Sequence, residues 1–157
     1  MTVLNKLLAV ISNTENQIKI ANVCDQAYAE GTGNPTWYAQ FGAEKPEHVG
    51  INLAAQAAVV SGVSILALIR GINLEENLTA ILGEIAENKV SKVERGILLR
   101  LANATWNAQQ PLRMDKGALG RASNMNVFDL LPAEEVDKDF IQIEAAAKFL
   151  LQALAEV

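Results

Sequence analysis

The side chains best suited to chemistry in this sequence are a group of cations between positions 89 and 121. This segment has seven basic residues and only two acidic ones, although the whole chain of 157 residues has a net charge of −5. Arginine can grip phosphate oxygens through paired N–H donors, and a tryptophan ring can stack on a nucleobase. One hypothesis is therefore a site for a small anionic ligand, such as a nucleotide phosphate, formed by Arg100, Trp106, Arg113, Lys116 and Arg121.

The same cations have a second, structural interpretation. They would form ion pairs with acidic elements elsewhere in the chain, for example residues 134–139, or with another subunit. We favour this interpretation over ligand binding. Nucleic acid is not an expected partner, because an acidic chain with a pI near 4.9 presents no extended basic surface to the phosphate backbone.

Patterns for catalysis and metal binding are weak in the rest of the chain. His48 and Cys24 are the only histidine and the only cysteine. A di-iron bundle needs two Glu-x-x-His elements, and no zinc-ligand spacing is present. We expect Cys24 to be a buried core residue, since its only candidate base, His48, lies on a different segment. Paired glutamates such as Glu75 and Glu76 are expected on solvated helix faces. We therefore predict a protein that is not an enzyme and that uses no metal or cofactor.

The elements that must position these residues are predicted to be helices. Apolar residues recur at helical spacing, and the alternation typical of strands is nearly absent. Gly71 is suited to end one helix, and we expect Gly83 and Gly96 to let helix backbones approach closely. Three pairs of residues have the spacing of helix N-terminal capping motifs, namely Thr14 with Gln17, Asn73 with Glu76, and Ser91 with Glu94.

The predicted fold class is all-α. We expect a single domain over residues 1–157, with residues 1–12 as a helical arm at its N-terminus. A compact bundle of five to six helices would surround a buried, apolar central helix at about 49–70. Two long structured loops are predicted at 31–47 and 109–131, because glycine and proline interrupt the helical pattern there.

The central helix raises the question of a membrane span. Residues 51–69 form an uncharged stretch of 19 residues, which just reaches the length that crosses a bilayer. Its polar residues, including Gln56, Ser61 and Ser64, and its many alanines favour a buried helix in a bundle. With a single cysteine and no signal-peptide pattern, we expect a cytoplasmic protein that does not bind membranes.

Two segments share the pattern of a known helical module. Residues 101–110, LANATWNAQQ, contain Trp106, and residues 128–139, FDLLPAEEVDKD, contain a Leu-Pro pair followed by an acidic and basic run. Over residues of about 95–140 this pattern resembles part of the RyR domain, which is named from ryanodine receptors and also occurs in bacterial and phage proteins. Asn103 and Phe128 stand where that family has histidine and tyrosine. The resemblance implies a non-catalytic interaction or ligand-sensing module.

These observations predict a non-enzymatic helical binding or scaffold protein that self-associates. Half of the residues are apolar, and apolar surface in excess of one core is commonly hidden in an interface between subunits. The expected partner is a second copy of the chain, giving a homodimer, or another protein. The alternative is an anion- or nucleotide-sensing module that uses the basic segment 89–121.

Overall fold

A computed structural model describes residues 1–33, 54–115 and 133–157. All regular secondary structure in these residues is helical, and the helices pack into a compact bundle, so the all-α prediction is confirmed. The helices are α1 (Val3–Ser12), α2 (Thr14–Thr32), α3 (Ala54–Arg70), α4 (Leu74–Ala86), α5 (Lys92–Asp115) and α6 (Ala133–Ala155).

Two of the three predicted capping motifs form as expected. The Asn73 side chain accepts a hydrogen bond from the backbone N–H of Glu76 at 2.9 Å. Ser91 and Glu94 form a reciprocal capping box, in which each side chain accepts from the other residue's N–H. The first motif is displaced by one residue, because Asn13 rather than Thr14 caps α2. An asparagine carbonyl is a strong N-cap acceptor and takes the position just before the threonine.

Helical structure extends into the start of both segments that were predicted to be loops, which corrects their predicted beginnings at 31 and 109. α2 continues through Gly31 to Thr32, and Gly33, with a left-handed φ of 74°, caps the helix. The backbone of α5 stays helical through Pro111 as far as Asp115. Proline removes one helical hydrogen bond but does not forbid the helix. The remainder of both loops, His48, and residues 49–53 of the predicted central helix lie outside the described residues.

The C-terminal helix α6 joins the bundle together, since it contacts all five other described helices. The most extensive contacts are those of α2 with α6 and of α3 with α5. α1 packs on α2, α4 and α6 and buries Leu7 and Val10. The largest fully buried side chains of the core are Leu7, Ile20, Leu66, Leu78, Ile81, Leu82, Ile85, Leu98, Phe140, Ile143 and Leu150.

α3 is buried along one side, where Ala58, Val59 and Leu66 are inaccessible to solvent. Its close contact with α5 depends on Gly62, since a Cβ atom there would overlap Cδ2 of Leu98. The prediction for Gly83 and Gly96 was wrong among the described residues. There, a Cβ on Gly83 would meet nothing within 4 Å, and the nearest atom to one on Gly96 is Nη1 of Arg100, on the same helix.

Among the described helices, none is long and apolar enough by itself to span a membrane. α3 and α4 meet that test only as a pair, and the two helices are bent by 115° at the break between them.

Candidate interaction surface

A charged junction fixes the corner at which α3, α4 and α5 meet. Arg70, the last residue of α3, binds both carboxylate oxygens of Glu94 on α5, with Nε–Oε2 and Nη2–Oε1 distances of 2.7 and 3.0 Å. Its third nitrogen donates to Glu84 of α4 at 2.6 Å. Glu94 also accepts from the N–H of Ser91. One guanidinium therefore holds three helices in a defined geometry, as bidentate arginine–carboxylate pairs do.

The electrostatics of the junction follow from these contacts. The hydrogen bonds from Arg70, supported by those from Ser91, lower the pKa of Glu94 from its ordinary value of 4.5 to about 2, although partial burial opposes the shift. The same contacts with Glu94 and Glu84 raise the pKa of Arg70. Both partners are thus charged throughout the neutral range, and the junction uses its charges for structure.

An uncharged stripe lies on the solvent side of α3, next to this junction. Ser61, Ser64 and Leu68 are exposed and follow one another at helical spacing, and Leu68 is 81% exposed. At the end of the helix Ile69 and Ile72 are also exposed, with Ile69 at 55%. Large apolar side chains that are this open to water make the end of α3 a candidate interaction surface.

A second stripe lies on the solvent side of α5, the helix that packs against α3. It consists of the exposed residues Val93, Arg100, Ala104 and Ala108, with Val93 at 72% exposed and Arg100 as its one charged residue. Arg95, half a helical turn around from Ala104, points instead toward α6. We call the two stripes together the outer face, defined by the exposed residues Ser61, Ser64, Leu68, Val93, Arg100, Ala104 and Ala108.

A shallow groove of about 380 Å³ runs between α2 and α6, outside the core. Val23 and Ala27 line it from α2, and Ile141, Ala145 and Phe149 line it from α6. The close approach of the two helices at one end involves Gly31, where a Cβ atom would lie 2.8 Å from Cδ1 of Ile141. The groove is therefore a second partly apolar surface, separate from the outer face.

Two cations of the basic segment 89–121 form ion pairs with acidic residues of the same chain. Arg95 forms an ion pair with Asp137 at 3.2 Å and lies 4.6 Å above the ring of Phe140. Lys89 pairs with Glu87 at 2.8 Å. Asp137 belongs to the acidic run 134–139, so for Arg95 the structural interpretation of the cations is confirmed. The acidic side chain Glu75, expected on a solvated face, instead accepts hydrogen bonds from the N–H groups of Val3 and Leu4.

The structure describes only some of the predicted ligand-binding residues. Arg100 is exposed and Trp106 is half-buried, and both lie on α5. Arg113 is on the same helix, two turns after Trp106 and therefore on the same face of the backbone as Trp106, whereas Arg100 lies about a third of a turn away. Lys116 and Arg121 lie outside the described residues.

Cys24 is buried, as predicted. Its Sγ lies 3.5 Å from the backbone carbonyl oxygen of Gln142 on α6. Burial, and to a smaller extent the neighbouring charge of Asp25, raises the pKa of the thiol. A protonated thiol with no access to solvent is a poor nucleophile, so Cys24 acts as a small core residue.

The outer face was not predicted from the sequence, because the whole uncharged stretch of α3 was expected to lie in the core. The signal that could have revealed it is the spacing of Ser61, Ser64 and Leu68. Polar serines three positions apart on one side of an apolar helix indicate the side that faces water.

Comparisons of the chain with protein-family models, with curated proteins and with solved structures found no match. The resemblance to the RyR domain is neither supported nor refuted by these comparisons.

Proposed function

We propose that this chain is a non-enzymatic helical scaffold protein that self-associates by placing the outer faces of two copies against each other. The single observation that carries the proposal is the exposure of Leu68 and Val93 on neighbouring helices beside a rigid ion-paired corner. Burying two such apolar side chains against a partner removes them from water, which favours association by roughly 25 cal/mol for each Å² of apolar surface.

The charge distribution favours a second copy of the chain as the partner that binds the outer face. The chain has a net charge of −5, so two copies repel each other over most of their surfaces. The outer face has no acidic residue, and its small residues Ser61, Ser64 and Ala104 permit close approach of helices. A two-fold axis through this face brings apolar side chains together without placing carboxylates opposite one another.

The test is the mass of the protein in solution, measured by light scattering over a concentration series. We expect the wild-type chain to form assemblies larger than a monomer. Leu68→Glu and Val93→Glu each place a carboxylate in the contact and should lower the assembly mass at equal concentration. Leu8→Glu is the matched control, because Leu8 is also an exposed leucine but lies on α1.

Two results would contradict this proposal. One is a wild-type chain that stays monomeric at high concentration. The other is an assembly whose mass is the same in the wild type and in both outer-face variants. Loss of binding to phospholipid vesicles in Leu68→Glu, with an unchanged mass, would assign the outer face to a lipid surface instead.

An anion- or nucleotide-sensing function is the second candidate. It is favoured by the register of α5, which puts Trp106 and Arg113 on one face of the helix two turns apart. The ligand-sensing role implied by the RyR resemblance belongs to this candidate. We expect ATP or inorganic phosphate to raise the melting temperature in low salt, with the effect reduced in Arg113→Ala. A melting temperature that neither compound changes would rule this candidate out.

A further inference from the structure

We infer that the groove between α2 and α6 is a second self-association surface, at which α6 of one copy lies antiparallel to α6 of another. This inference concerns a surface that is separate from the outer face. Only its consequence for assembly size rests on the proposed function. The occupant is a second copy of this chain, and the argument depends on the charged residues at the rim of the groove.

The rim of the groove has one charge of each sign on α6. Glu144 and Lys148 are four residues apart and line the groove together. Within the described part of the chain neither side chain has an ion-pair partner, although other charged side chains there do form ion pairs. Glu144 is half-buried and Lys148 is exposed, so both are placed to meet a partner outside the chain.

The order of these two charges makes α6 complementary to itself. If two α6 helices pack antiparallel about a two-fold axis that passes midway between positions 144 and 148, Glu144 of each copy faces Lys148 of the other. The axis repeats the contact, so that two ion pairs form for one interface. A parallel arrangement would place like charges opposite each other and is disfavoured.

The apolar residues of the groove supply the rest of the contact. Val23 is 37% exposed, and Ile141 and Phe149 are partly exposed along the same groove. Exposed ion pairs contribute little affinity but fix orientation, whereas apolar burial supplies the affinity. Packing of the α6 helices of two copies at this groove therefore gives a specific contact of modest strength.

A chain with two different self-complementary surfaces is expected to form assemblies larger than a dimer. One two-fold contact at the outer face and another at the groove link copies into a closed tetramer or an extended chain. The structure thus predicts an assembly that grows beyond two copies, in keeping with a scaffold.

Charge reversal with rescue tests the groove separately from the outer face. The experiment is light scattering on variants made in the Leu68→Glu background, which disables the outer face. Leu68→Glu alone should give a dimer through the groove. Adding Lys148→Glu should give a monomer, because Glu144 would then face a glutamate. Adding both Glu144→Lys and Lys148→Glu should restore the dimer, because the complementary pairs are re-formed with their signs exchanged.

The matched control is Lys6→Glu in the same background, since Lys6 lies on α1 and does not line the groove. It should leave the dimer intact, and circular dichroism should show the same helix content in every variant. The inference is overturned if Leu68→Glu is already a monomer, or if Lys148→Glu leaves the dimer unchanged. It is also overturned if the double exchange fails to restore the dimer. The proposed function fails separately, if Leu68→Glu has the same mass as the wild type.

Discussion

At the scale of single residues, several charged side chains in the described part of the chain join one helix to another. Arg70 joins three helices through two carboxylates, and Glu75 of α4 accepts from the N-terminus of α1. The hydrogen bonds between Ser91 and Glu94 were predictable, because these two residues have the spacing of a capping box. The Arg70–Glu94 ion pair was not predictable, since no local pattern indicates that these two residues lie side by side.

The Arg70–Glu94 pair predicts an acid-sensitive contribution to stability. The pKa of Glu94 is about 2 in the folded chain, below its value in an unfolded chain. Its stabilisation is therefore complete above about pH 5 and is lost as the pH falls toward about 2. Glu94→Gln should lower the free energy of unfolding by about 2 kcal/mol at pH 7, and by much less at pH 2 to 3. Urea unfolding at both pH values measures this difference.

Glu87→Gln is the control for that measurement. Glu87 also forms an ion pair, with Lys89, but both side chains are more than half exposed. Its removal should change stability little at any pH, because water screens exposed pairs. A Glu94→Gln variant that loses the same stability at pH 7 and pH 2.5 would show that the carboxylate charge is not responsible.

At the scale of helices, the sequence predicted the type and most of the bounds of the elements, because capping and periodicity are local properties. Gly71 ends α3 with a φ of 67°, as expected. Contacts between helices were not predictable in this way. Gly62 is required by Leu98 on another helix, and nothing in its own neighbourhood distinguishes it from Gly83. The solvent side of α3 was missed for the same reason, since it depends on which helices cover it.

Gly62 and Gly83 form a matched pair for testing the α3–α5 contact. Gly62→Ala must displace Leu98, at an overpacking cost of about 1–3 kcal/mol, and it regains only about 1 kcal/mol of helix propensity. We expect a net loss of stability of about 1 kcal/mol. Gly83→Ala meets no neighbouring atom and should stabilise the protein by about 0.5–1 kcal/mol. Thermal unfolding of both variants tests these signs, and a stabilising Gly62→Ala would contradict the proposed packing.

The attachment of α1 gives a second prediction at this scale. Glu75→Ala removes the carboxylate that accepts from Val3 and Leu4, and it should lower stability by about 1–2 kcal/mol. Amide exchange should become faster in α1 before it changes in α6. Glu76→Ala is the neighbouring control, because Glu76 is exposed. Equal effects of the two substitutions would indicate that α1 does not depend on this contact.

At the scale of the whole molecule, acidic charge is kept away from the outer face. Acidic residues outnumber basic ones in the chain, whereas the outer face has Arg100 and no acidic residue. Composition led to the expectation of self-association, because half of the residues are apolar, and this expectation stays a prediction. Composition was not enough to locate the surface. Location depends on the packing of α3 against α5, which leaves Leu68 and Val93 uncovered.

Cross-linking from the outer face tests the proposed contact most directly. Ser64→Cys places a thiol at the centre of the α3 stripe, and the native Cys24 is buried and unreactive. With a short bismaleimide, we predict rapid formation of covalent dimers by Ser64→Cys, and loss of that product when Leu68→Glu is added. Thr79→Cys, at an exposed position on α4, should cross-link slowly. Equal, slow cross-linking of Ser64→Cys and Thr79→Cys would contradict the contact between outer faces.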